Sequence, residues 1–353
     1  MNDRYIVIMA GGRGERFWPK SRLKKPKHLI SVVGKEPMLL QTINRLKAVV
    51  PKENLFIITN KEQREAVIEL CCDLAVSQII AEPIGRDTAA AVGLAKVLVK
   101  QKNPKGVFAV LPADHVINDV ENLEKCLSAG FEIALKEDVL VTIGIPPTEP
   151  STAYGYIKKG AVKDIFYKVE KFVEKPDYET AKKYLATGDF FWNAGMFVWS
   201  VKSLDAALKK HCHDLWLGLT ALEASPYLEA ALETLYVQLP KISIDYALLE
   251  KADNVVTIPA TFDWDDVGEW PAIARHSNVD SQNNVIVGDA VITESQGNII
   301  VNEDGHLTAL IGVEDLIVVH TKDATLICHK DKAQDIKKLL KKVSEEAKYI
   351  HLL

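Results

Sequence analysis

The sequence predicts an α/β fold in which helices cover both faces of a mixed, mainly parallel sheet, followed by a small C-terminal β domain. In the first half of the chain, short apolar runs alternate with longer amphipathic segments, which is typical of parallel sheets. From residue 284 onward, short β-type runs are separated by Gly, Asn and Asp, which favours separate β structure. We therefore expect two domains, residues 1–280 and residues 281–353.

In the first half, strands are predicted at the apolar runs and helices at the amphipathic segments between them. The predicted strands are Tyr5–Met9, Leu55–Thr59, Gln78–Ile80, Gly106–Leu111 and Val139–Ile143. The predicted helices are Met38–Val49, Lys61–Cys72, Thr88–Lys100 and Leu123–Lys136. Ligands of such sheets bind beyond the carboxyl ends of the strands, so we expect the site at that edge.

After Pro150 the pattern changes to α+β, and this part is expected to complete the sheet and to form a pocket for an acceptor substrate. Strands are predicted at Gly155–Lys158 and Val169–Glu174, and helices at Glu179–Ala186, Val201–His211 and Ser243–Lys251.

The C-terminal region is predicted to contain six short strands and a final helix. The strands are Val285–Val287, Ala290–Ile292, Ile299–Val301, Leu307–Leu310, Leu316–His320 and Ala324–Cys328. The helix, Asp331–Lys348, is charged and amphipathic, and we interpret it as a packing or dimer contact without a chemical role.

Composition excludes several classes of function. A net charge of −5 over 353 residues gives no electrostatic basis for binding nucleic acid or an anionic membrane. The five cysteines are scattered without metal-ligand spacing, so we expect reduced thiols. The chain starts almost directly with a strand and has no apolar run of the ~18 residues that span a bilayer. We therefore expect a cytoplasmic protein.

A glycine-rich loop follows the first predicted strand and is the strongest local signal of function. Gly11, Gly12 and Gly14 let the backbone approach a polyanion, and Arg13, Arg16 and Lys27 can neutralise its charge. A dinucleotide-binding loop would need glycine at Phe17, and the P-loop pattern is absent. A plain strand-to-helix turn with solvated cations is the alternative, but the cation density favours a nucleotide phosphate.

The segment Gly11-Gly-Arg-Gly-Glu-Arg-Phe-Trp-Pro19, with Pro26-Lys27-His28-Leu29, resembles the signature of the sugar-1-phosphate nucleotidyltransferases, and among them the guanylyltransferase family that uses mannose 1-phosphate. Seven further blocks resemble the same family in the same order, so that the resemblance covers residues 5–275. These blocks are Glu82-Pro-Ile-Gly-Arg-Asp-Thr-Ala89, Leu111-Pro-Ala-Asp-His115, Tyr154-Gly-Tyr-Ile157, Phe172-Val-Glu-Lys-Pro176, Asn193-Ala-Gly-Met-Phe197, Ser243-Ile-Asp-Tyr246 and Trp264-Asp-Asp-Val-Gly268.

The resemblance implies a Rossmann-like nucleotidyltransferase domain of the GT-A type, with a left-handed β-helix-like tail. It also implies transfer of GMP from GTP to α-D-mannose 1-phosphate, giving GDP-mannose and pyrophosphate by direct attack on the α-phosphorus. The match is to the short form of the family, so we expect no isomerase domain, and the resemblance favours a homodimer. Another base or sugar, or a non-catalytic regulatory paralogue, stays open. A Rossmann oxidoreductase would need a third glycine and an acidic ribose partner.

The resemblance also assigns roles to single residues. Arg16, Lys27 and Asp114 are expected to be catalytic. The expected nucleotide-binding residues are Ala10, Gly11, Gly12, Arg13, Gly14, Glu82, Gly85, Arg86 and Pro112. The expected sugar-phosphate-binding residues are Gly155, Glu174, Lys175 and Asn193. No general base is expected, because a sugar phosphate is already an anionic nucleophile.

A magnesium site is predicted from two carboxylates on distant loops. Asp114 follows an apolar strand, and Asp265 and Asp266 lie in a later loop; oxygen ligands from both, together with substrate phosphates, suit a partly hydrated Mg²⁺. The resemblance favours Asp266 over Asp265, so Asp114 and Asp266 are the predicted metal ligands. His115 is interpreted as a hydrogen-bonded structural residue.

Three positions depart from the family pattern: Asp87 replaces the usual Asn, Ala90 the usual Pro, and Lys20 a commonly apolar residue. Asp87 adds a negative charge near the nucleotide, which leaves the base or metal preference open.

Overall fold

A mixed sheet forms the larger part of the molecule. The structure, a computed structural model, describes residues 3–303 and 305–353. The strands before residue 260 are β1 Arg4–Ala10, β2 Leu55–Asn60, β3 Ile79–Glu82, β4 Val107–Pro112, β5 Leu140–Ile145, β6 Tyr156–Lys163, β7 Phe166–Val173, β8 Phe190–Ser200 and β9 Val255–Pro259. Within the described residues, these strands form one sheet in the order β3-β2-β1-β4-β8-β5-β9-β7-β6.

The first half of the sheet is parallel, as predicted. β1 pairs in parallel with both β2 and β4, and β2 pairs in parallel with β3. Strand β8 inserts antiparallel between β4 and β5 and was missed by the sequence reasoning. Nearly all its side chains are buried or half-buried, so it lacks the polar alternation that marks a half-exposed strand. Strand β9, parallel to β5, was also missed.

Helices cover both faces of the sheet, which confirms the predicted α/β arrangement. Alternate residues of β1 point to opposite faces: Ile6 and Ile8 pack in one core, Tyr5 and Val7 in the other. The helices are α1 Met38–Leu46, α2 Arg64–Leu70, α3 Asp87–Lys102, α4 Val120–Lys136, α5 Tyr178–Thr187, α6 Val201–His211, α7 His213–Ala224 and α8 Leu228–Thr234. The first core includes α1, α2, α4 and α5, and the second includes α3, α6, α7 and α8.

Two helix predictions need correction, and two helices were missed. The helix predicted at Lys61–Cys72 begins only at Arg64, because the backbone N–H of Gln63 donates to Asn60 Oδ1 in a preceding turn. The predicted helix Ser243–Lys251 is a short π-helix, Asp245–Leu249. Helices α7 and α8 were not predicted. No helix within the described residues is long and apolar enough to cross a membrane.

The C-terminal part is a β-helix-like unit, as predicted. Its strands are β10 Val285–Val287, β11 Asp289–Thr293, β12 Ile299–Asn302, β13 Leu307–Ile311, β14 Leu316–His320 and β15 Thr325–His329. β10, β12 and β14 pair in parallel, as do β11 and β13, while β15 is antiparallel to β14.

The last helix is shorter than predicted and packs on the glycine-rich loop. Helix α9, Ile336–Glu345, lies between 3-10 turns, Lys330–Asp335 and Ala347–Leu352. Its buried residues Ile336 and Leu340 belong to the same core cluster as Phe17 and Trp18. The β domain therefore supports the loop that follows β1.

Candidate active site

The loop after β1 is fixed by a contact that only glycine permits. Gly14 has φ +62°, and a Cβ there would lie 2.6 Å from Lys27 Cβ and 2.7 Å from Lys27 N. The carbonyl oxygen of Gly14 accepts hydrogen bonds from the Phe17 backbone N–H at 2.9 Å and from Ser21 Oγ at 2.7 Å. The loop is therefore pressed against the segment that carries Lys27.

Charged residues from five parts of the chain meet around a cavity of about 430 Å³, which we call the cation cavity. Six of the residues predicted to bind substrates or metal line this cavity. The lining residues are Arg13, Gly14, Glu15, Arg16, Phe17, Lys27, Asp114, His115, Asp266, Gly268 and Lys337. Lys337, from α9, was not predicted.

Lys27 links the two loops that carry the predicted metal ligands. Its side chain is almost fully buried, and Nζ donates to Asp114 Oδ2 at 2.9 Å, to the Asp114 carbonyl oxygen at 2.9 Å and to the Asp266 carbonyl oxygen at 2.5 Å. These three acceptors account for all three ammonium hydrogens. Lys27 therefore supplies its charge to the cavity while it holds Asp114 and Asp266 together.

Arg16 has hydrogen-bonding capacity to spare. Its Nη1 lies 3.5 Å from the Gly268 carbonyl oxygen, a weak contact. Its Nε is buried and finds no acceptor among residues 3–303 and 305–353. Leaving such a donor unsatisfied costs about 1–3 kcal/mol, so an anionic oxygen in the cavity would relieve it.

Asp114 and Asp266, the predicted magnesium ligands, each have one carboxylate oxygen free of hydrogen bonds among the described residues. Burial raises the pKa of the Asp114 carboxyl group, but the charge of Lys27, and that of His115 once it is protonated at acid pH, outweigh this effect and lower it to about 2. Asp266 Oδ1 accepts a hydrogen bond from the Tyr154 hydroxyl at 2.7 Å. Among the described residues, Asp114 Oδ1 and Asp266 Oδ2 accept no hydrogen bond, so each carboxylate has one oxygen available. Two carboxylate oxygens beside a cavity fit a partly hydrated Mg²⁺.

Asp265 occupies a different environment from its neighbour. Arg275 donates to both carboxylate oxygens at 2.6 and 2.7 Å, His276 Nε2 lies 2.7 Å from Oδ2, and the Val267 N–H donates to Oδ1 at 2.8 Å. Burial raises the pKa of Asp265, but the hydrogen bonds from Arg275 and Val267 lower it overall. Asp265 therefore positions the loop, whereas Asp266 faces the cavity.

The loop that presents Asp266 is strained. Val267 has φ +44°, which is unfavourable for a β-branched residue, and its side chain is fully buried. Backbone strain of this kind persists where surrounding contacts hold it and is concentrated at functional sites.

His115 has a structural hydrogen bond, as the sequence reasoning expected. Its Nδ1 accepts from Trp264 Nε1 at 3.0 Å. Burial lowers the pKa of His115 to about 4, so the ring is neutral near pH 7.

A second cavity, of about 400 Å³, contains most of the predicted nucleotide-binding residues, and we call it the Glu82 cavity. Gly11, Gly12, Glu82, Gly85, Pro112 and Asn193 are among its lining residues. Ala10 and Arg86 are not among them: the Ala10 carbonyl oxygen accepts from Thr59 Oγ1 at 2.8 Å, and Arg86 Nε is buried without an acceptor among the described residues.

Glu82 is a buried acid with one oxygen directed at the glycine loop. The Tyr236 hydroxyl donates to Oε1, and a Cβ on Gly11 would lie 3.4 Å from Oε2. Burial raises the pKa of Glu82 to about 7, although the hydrogen bond from Tyr236 opposes this rise. The carboxyl group therefore changes charge near neutral pH.

The departure at Asp87 has a backbone explanation. Asp87 has φ +67°, a conformation that Asn and Asp tolerate better than most residues, and its Oδ1 accepts from the Thr88 N–H at 2.7 Å. Lys20 is accommodated because Nζ donates to the Ser31 carbonyl oxygen at 3.0 Å, and Ala90 is buried within α3.

The predicted sugar-phosphate residues also lie together. A Cβ on Gly155 would lie 2.6 Å from Glu174 Oε2, and Lys175 Nζ lies 2.8 Å from Glu174 Oε1. The Asn193 N–H donates to the Gly155 carbonyl oxygen at 2.8 Å, which joins β8 to this group. Lys175 has φ +44°, so like Val267 it is a strained non-glycine residue within a predicted site motif.

Asp245 completes this group and was missed as a site residue. Its Oδ1 accepts from Asn193 Nδ2 at 3.1 Å, and it lines the Glu82 cavity. Burial and the charge of Glu174 raise the pKa of Asp245 to about 6. Asp245 lies within the family motif Ser243-Ile-Asp-Tyr246, and Tyr154 begins the family motif Tyr154-Gly-Tyr-Ile157, so both could have been identified from the sequence. Lys337 lies in no such motif.

Comparison with known proteins shows similarity along both parts of the chain. The family model described as nucleotidyl transferase matches residues 5–283, and the model described as MannoseP isomerase/GMP-like beta-helix domain matches residues 288–343. Mannose-1-phosphate guanylyltransferase of Escherichia coli is 39% identical over 342 residues, which cover 94% of this chain and 72% of that protein. Alginate biosynthesis protein AlgA of Pseudomonas aeruginosa is 36% identical over 354 residues, covering 97% and 72%.

A solved structure is similar over nearly the whole chain. The crystal structure named mannose-1-phosphate geranyltransferase from Thermus thermophilus has a TM-score of 0.88 and 35% sequence identity, and covers 97% of this chain and 99% of that one. The similarity therefore includes both the sheet and the β domain.

Proposed function

Because this chain belongs to the nucleotidyl transferase family and is an enzyme of that type, we propose that it transfers GMP from GTP to α-D-mannose 1-phosphate. The products are GDP-mannose and pyrophosphate. The observation that carries the proposal is the cation cavity, where Arg13, Arg16 and Lys27 face the two carboxylates Asp114 and Asp266.

The chemistry requires alignment and charge neutralisation more than proton transfer. A phosphate oxygen of mannose 1-phosphate attacks the α-phosphorus directly, and the bond to the β-phosphate oxygen breaks to release pyrophosphate. Arg13 and Arg16 bind phosphate oxygens, and Arg16 Nε offers an unused donor for this purpose. Lys27 supplies charge and keeps Asp114 and Asp266 in place.

Asp114 and Asp266 would hold the magnesium ion. When bound, the ion neutralises charge on the phosphate oxygens. Tyr154 and Asp265 support this function from outside the cavity: Tyr154 orients the Asp266 carboxylate, and Asp265 fixes the backbone beside it.

Glu82 supports the choice of guanine. Its carboxylate oxygens can only accept hydrogen bonds once ionised, and Oε2 is directed at the glycine loop. The edge of guanine presents two adjacent N–H donors, whereas adenine presents an acceptor at the corresponding ring nitrogen. A buried carboxylate left unpaired by adenine would therefore disfavour ATP.

The sugar phosphate is assigned to the group formed by Gly155, Glu174, Lys175 and Asn193. Lys175 binds the phosphate, and Glu174 and Asn193 bind sugar hydroxyls; Asp245 joins them through Asn193. A homodimer, a cytoplasmic location and a domain boundary at residue 280 stay predictions.

The proposal is tested by incubating the purified chain with mannose 1-phosphate and Mg²⁺ and offering GTP, ATP, UTP and dTTP separately. Pyrophosphate release is the readout. We expect release with GTP alone. Preference for another triphosphate would contradict the choice of base, and no release with mannose, glucose or fucose 1-phosphate would contradict the reaction.

A further inference from the structure

Lys337 is a cation at the cation cavity that neither the sequence motifs nor the proposed mechanism uses. It lies in the first turn of α9, outside the larger domain that carries the other cations of the cavity. Its side chain is exposed, and no carboxylate lies within 4.0 Å of its ammonium group in the part of the chain that the structure describes. The neighbouring Lys338, by contrast, pairs with Asp335 at 2.7 Å.

The charges that line the cavity show why a fourth cation matters. Arg13, Arg16 and Lys27 are matched by three carboxylates, Glu15, Asp114 and Asp266, and His115 is neutral. Without Lys337 the lining carries no net charge. Lys337 gives the protein side chains of the lining a net charge of +1, and the Mg²⁺ proposed for Asp114 and Asp266 would add to this positive charge.

The turns before and after α9 are both hydrogen-bonded to the larger domain, which fixes the backbone that carries Lys337. On the loop side, Trp18 Nε1 donates to the Leu352 carbonyl oxygen at 2.7 Å, and Arg22 Nη1 donates to the same oxygen at 2.8 Å. On the Asp266 side, Gln334 Nε2 donates to Glu269 Oε2 at 2.6 Å. The turn before α9 thus contacts the residue that follows Gly268.

On the basis of the function proposed above, we propose that Lys337 binds the β- or γ-phosphate of GTP and the released pyrophosphate. The β domain is then part of the active site, because its last helix contributes one of the phosphate-binding cations. A cation in the first turn opposes the helix dipole, so Lys337 is not placed there to stabilise α9.

The test compares Lys337→Ala with Lys338→Ala, a matched change one residue along the same helix. We expect Lys337→Ala to raise the KM for GTP about tenfold, the effect of losing one charge-assisted hydrogen bond, and to leave the KM for mannose 1-phosphate unchanged. Lys338→Ala should leave both KM values unchanged. Lys337→Arg should restore the KM for GTP, which a merely structural role of the helix does not explain.

Calorimetric titration of inorganic pyrophosphate into each variant separates this proposal from the proposed function. A Kd for pyrophosphate about tenfold weaker in Lys337→Ala supports the phosphate contact even if the wild-type chain transfers no GMP. Equal pyrophosphate affinity in Lys337→Ala and Lys338→Ala would overturn it, as would a wild-type chain that binds no pyrophosphate.

Discussion

The two ends of the candidate active site differ in their electrostatics. We call the cation cavity the cation end, and the group formed by Gly155, Glu174, Lys175, Asn193 and Asp245 the sugar end. At the cation cavity, lysine and arginine side chains lie beside carboxylates, and although burial raises the pKa of Asp114, the charge of the neighbouring Lys27 lowers it to about 2. At the sugar end, Glu174 and Asp245 lie close together, and burial with the charge of Glu174 raises the pKa of Asp245 to about 6. This difference agrees with the proposal that one end binds a polyphosphate and the other binds sugar hydroxyl groups and the single phosphate proposed for Lys175.

The largest loss of activity is expected from Lys27→Met, which removes the buried cation between Asp114 and Asp266. The variant loses a charge and also the hydrogen bonds that join Asp114 to the Asp266 loop. We expect kcat/KM for GTP to fall about a thousandfold, the upper range for one electrostatic group in a protected site. Steady-state kinetics measure this fall, with thermal unfolding as the control for folding. A loss below tenfold in a folded variant would contradict the role of Lys27.

The next effect is expected from the two metal ligands. Asp114→Asn and Asp266→Asn should each lower kcat about a hundredfold in the presence of Mg²⁺, because each removes an anionic ligand while it preserves side-chain shape. The matched control is Asp253→Asn, which changes an exposed carboxylate 3.4 Å from Lys210. Wild-type turnover in both Asp114→Asn and Asp266→Asn would refute the metal assignment.

The two ends also differ in how much of them the sequence revealed. The glycine loop was predictable because it follows a strongly apolar strand and because its motif is contiguous. The sugar end depends on β8, an antiparallel strand in the middle of the sheet, which was not predicted although a mixed, mainly parallel sheet was expected. Asp245 contacts the site through Asn193 on β8, so its motif alone did not place it there.

Lys337 shows a second limit of sequence reasoning. The amphipathic pattern of the last helix predicted packing, and the helix does pack on the glycine loop. Its contact partners, however, are set by long-range hydrogen bonds such as that between Trp18 and Leu352, 334 residues apart. No local pattern contains that information. The motif blocks did place Asp114 and Asp266 together, since both mark loops at the same edge of the sheet.

A smaller effect, confined to the sugar end, is expected from Lys175→Ala. The KM for mannose 1-phosphate should rise about thirtyfold, in the range for a hydrogen bond to a charged group, while the KM for GTP stays within about twofold. Lys171→Ala, an exposed lysine on the preceding strand, is the matched control. Equal changes in the KM values for GTP and mannose 1-phosphate in Lys175→Ala would contradict the proposal that Lys175 binds only the sugar phosphate.

The smallest effect is expected from the titration of Glu82, which should make kcat/KM for GTP depend on pH. Because burial raises the pKa of Glu82 to about 7, the carboxyl group is mostly protonated at pH 6 and mostly ionised at pH 8. The ionised carboxylate can accept hydrogen bonds at both oxygens, whereas the protonated form carries an O–H donor that does not match the N–H groups of guanine. We therefore expect kcat/KM for GTP to rise about tenfold between pH 6 and pH 8. Glu82→Gln should abolish the rise. A rise that persists in Glu82→Gln would assign it to another group.

In the proposed reaction, both substrates occupy one site together and GMP passes directly from GTP to mannose 1-phosphate. Initial rates measured over a grid of GTP and mannose 1-phosphate concentrations distinguish this direct transfer from a two-step reaction. Double-reciprocal lines that intersect indicate a complex containing both substrates, which is the result we predict. Parallel lines, the signature of a covalent guanylyl-enzyme intermediate, would contradict direct transfer.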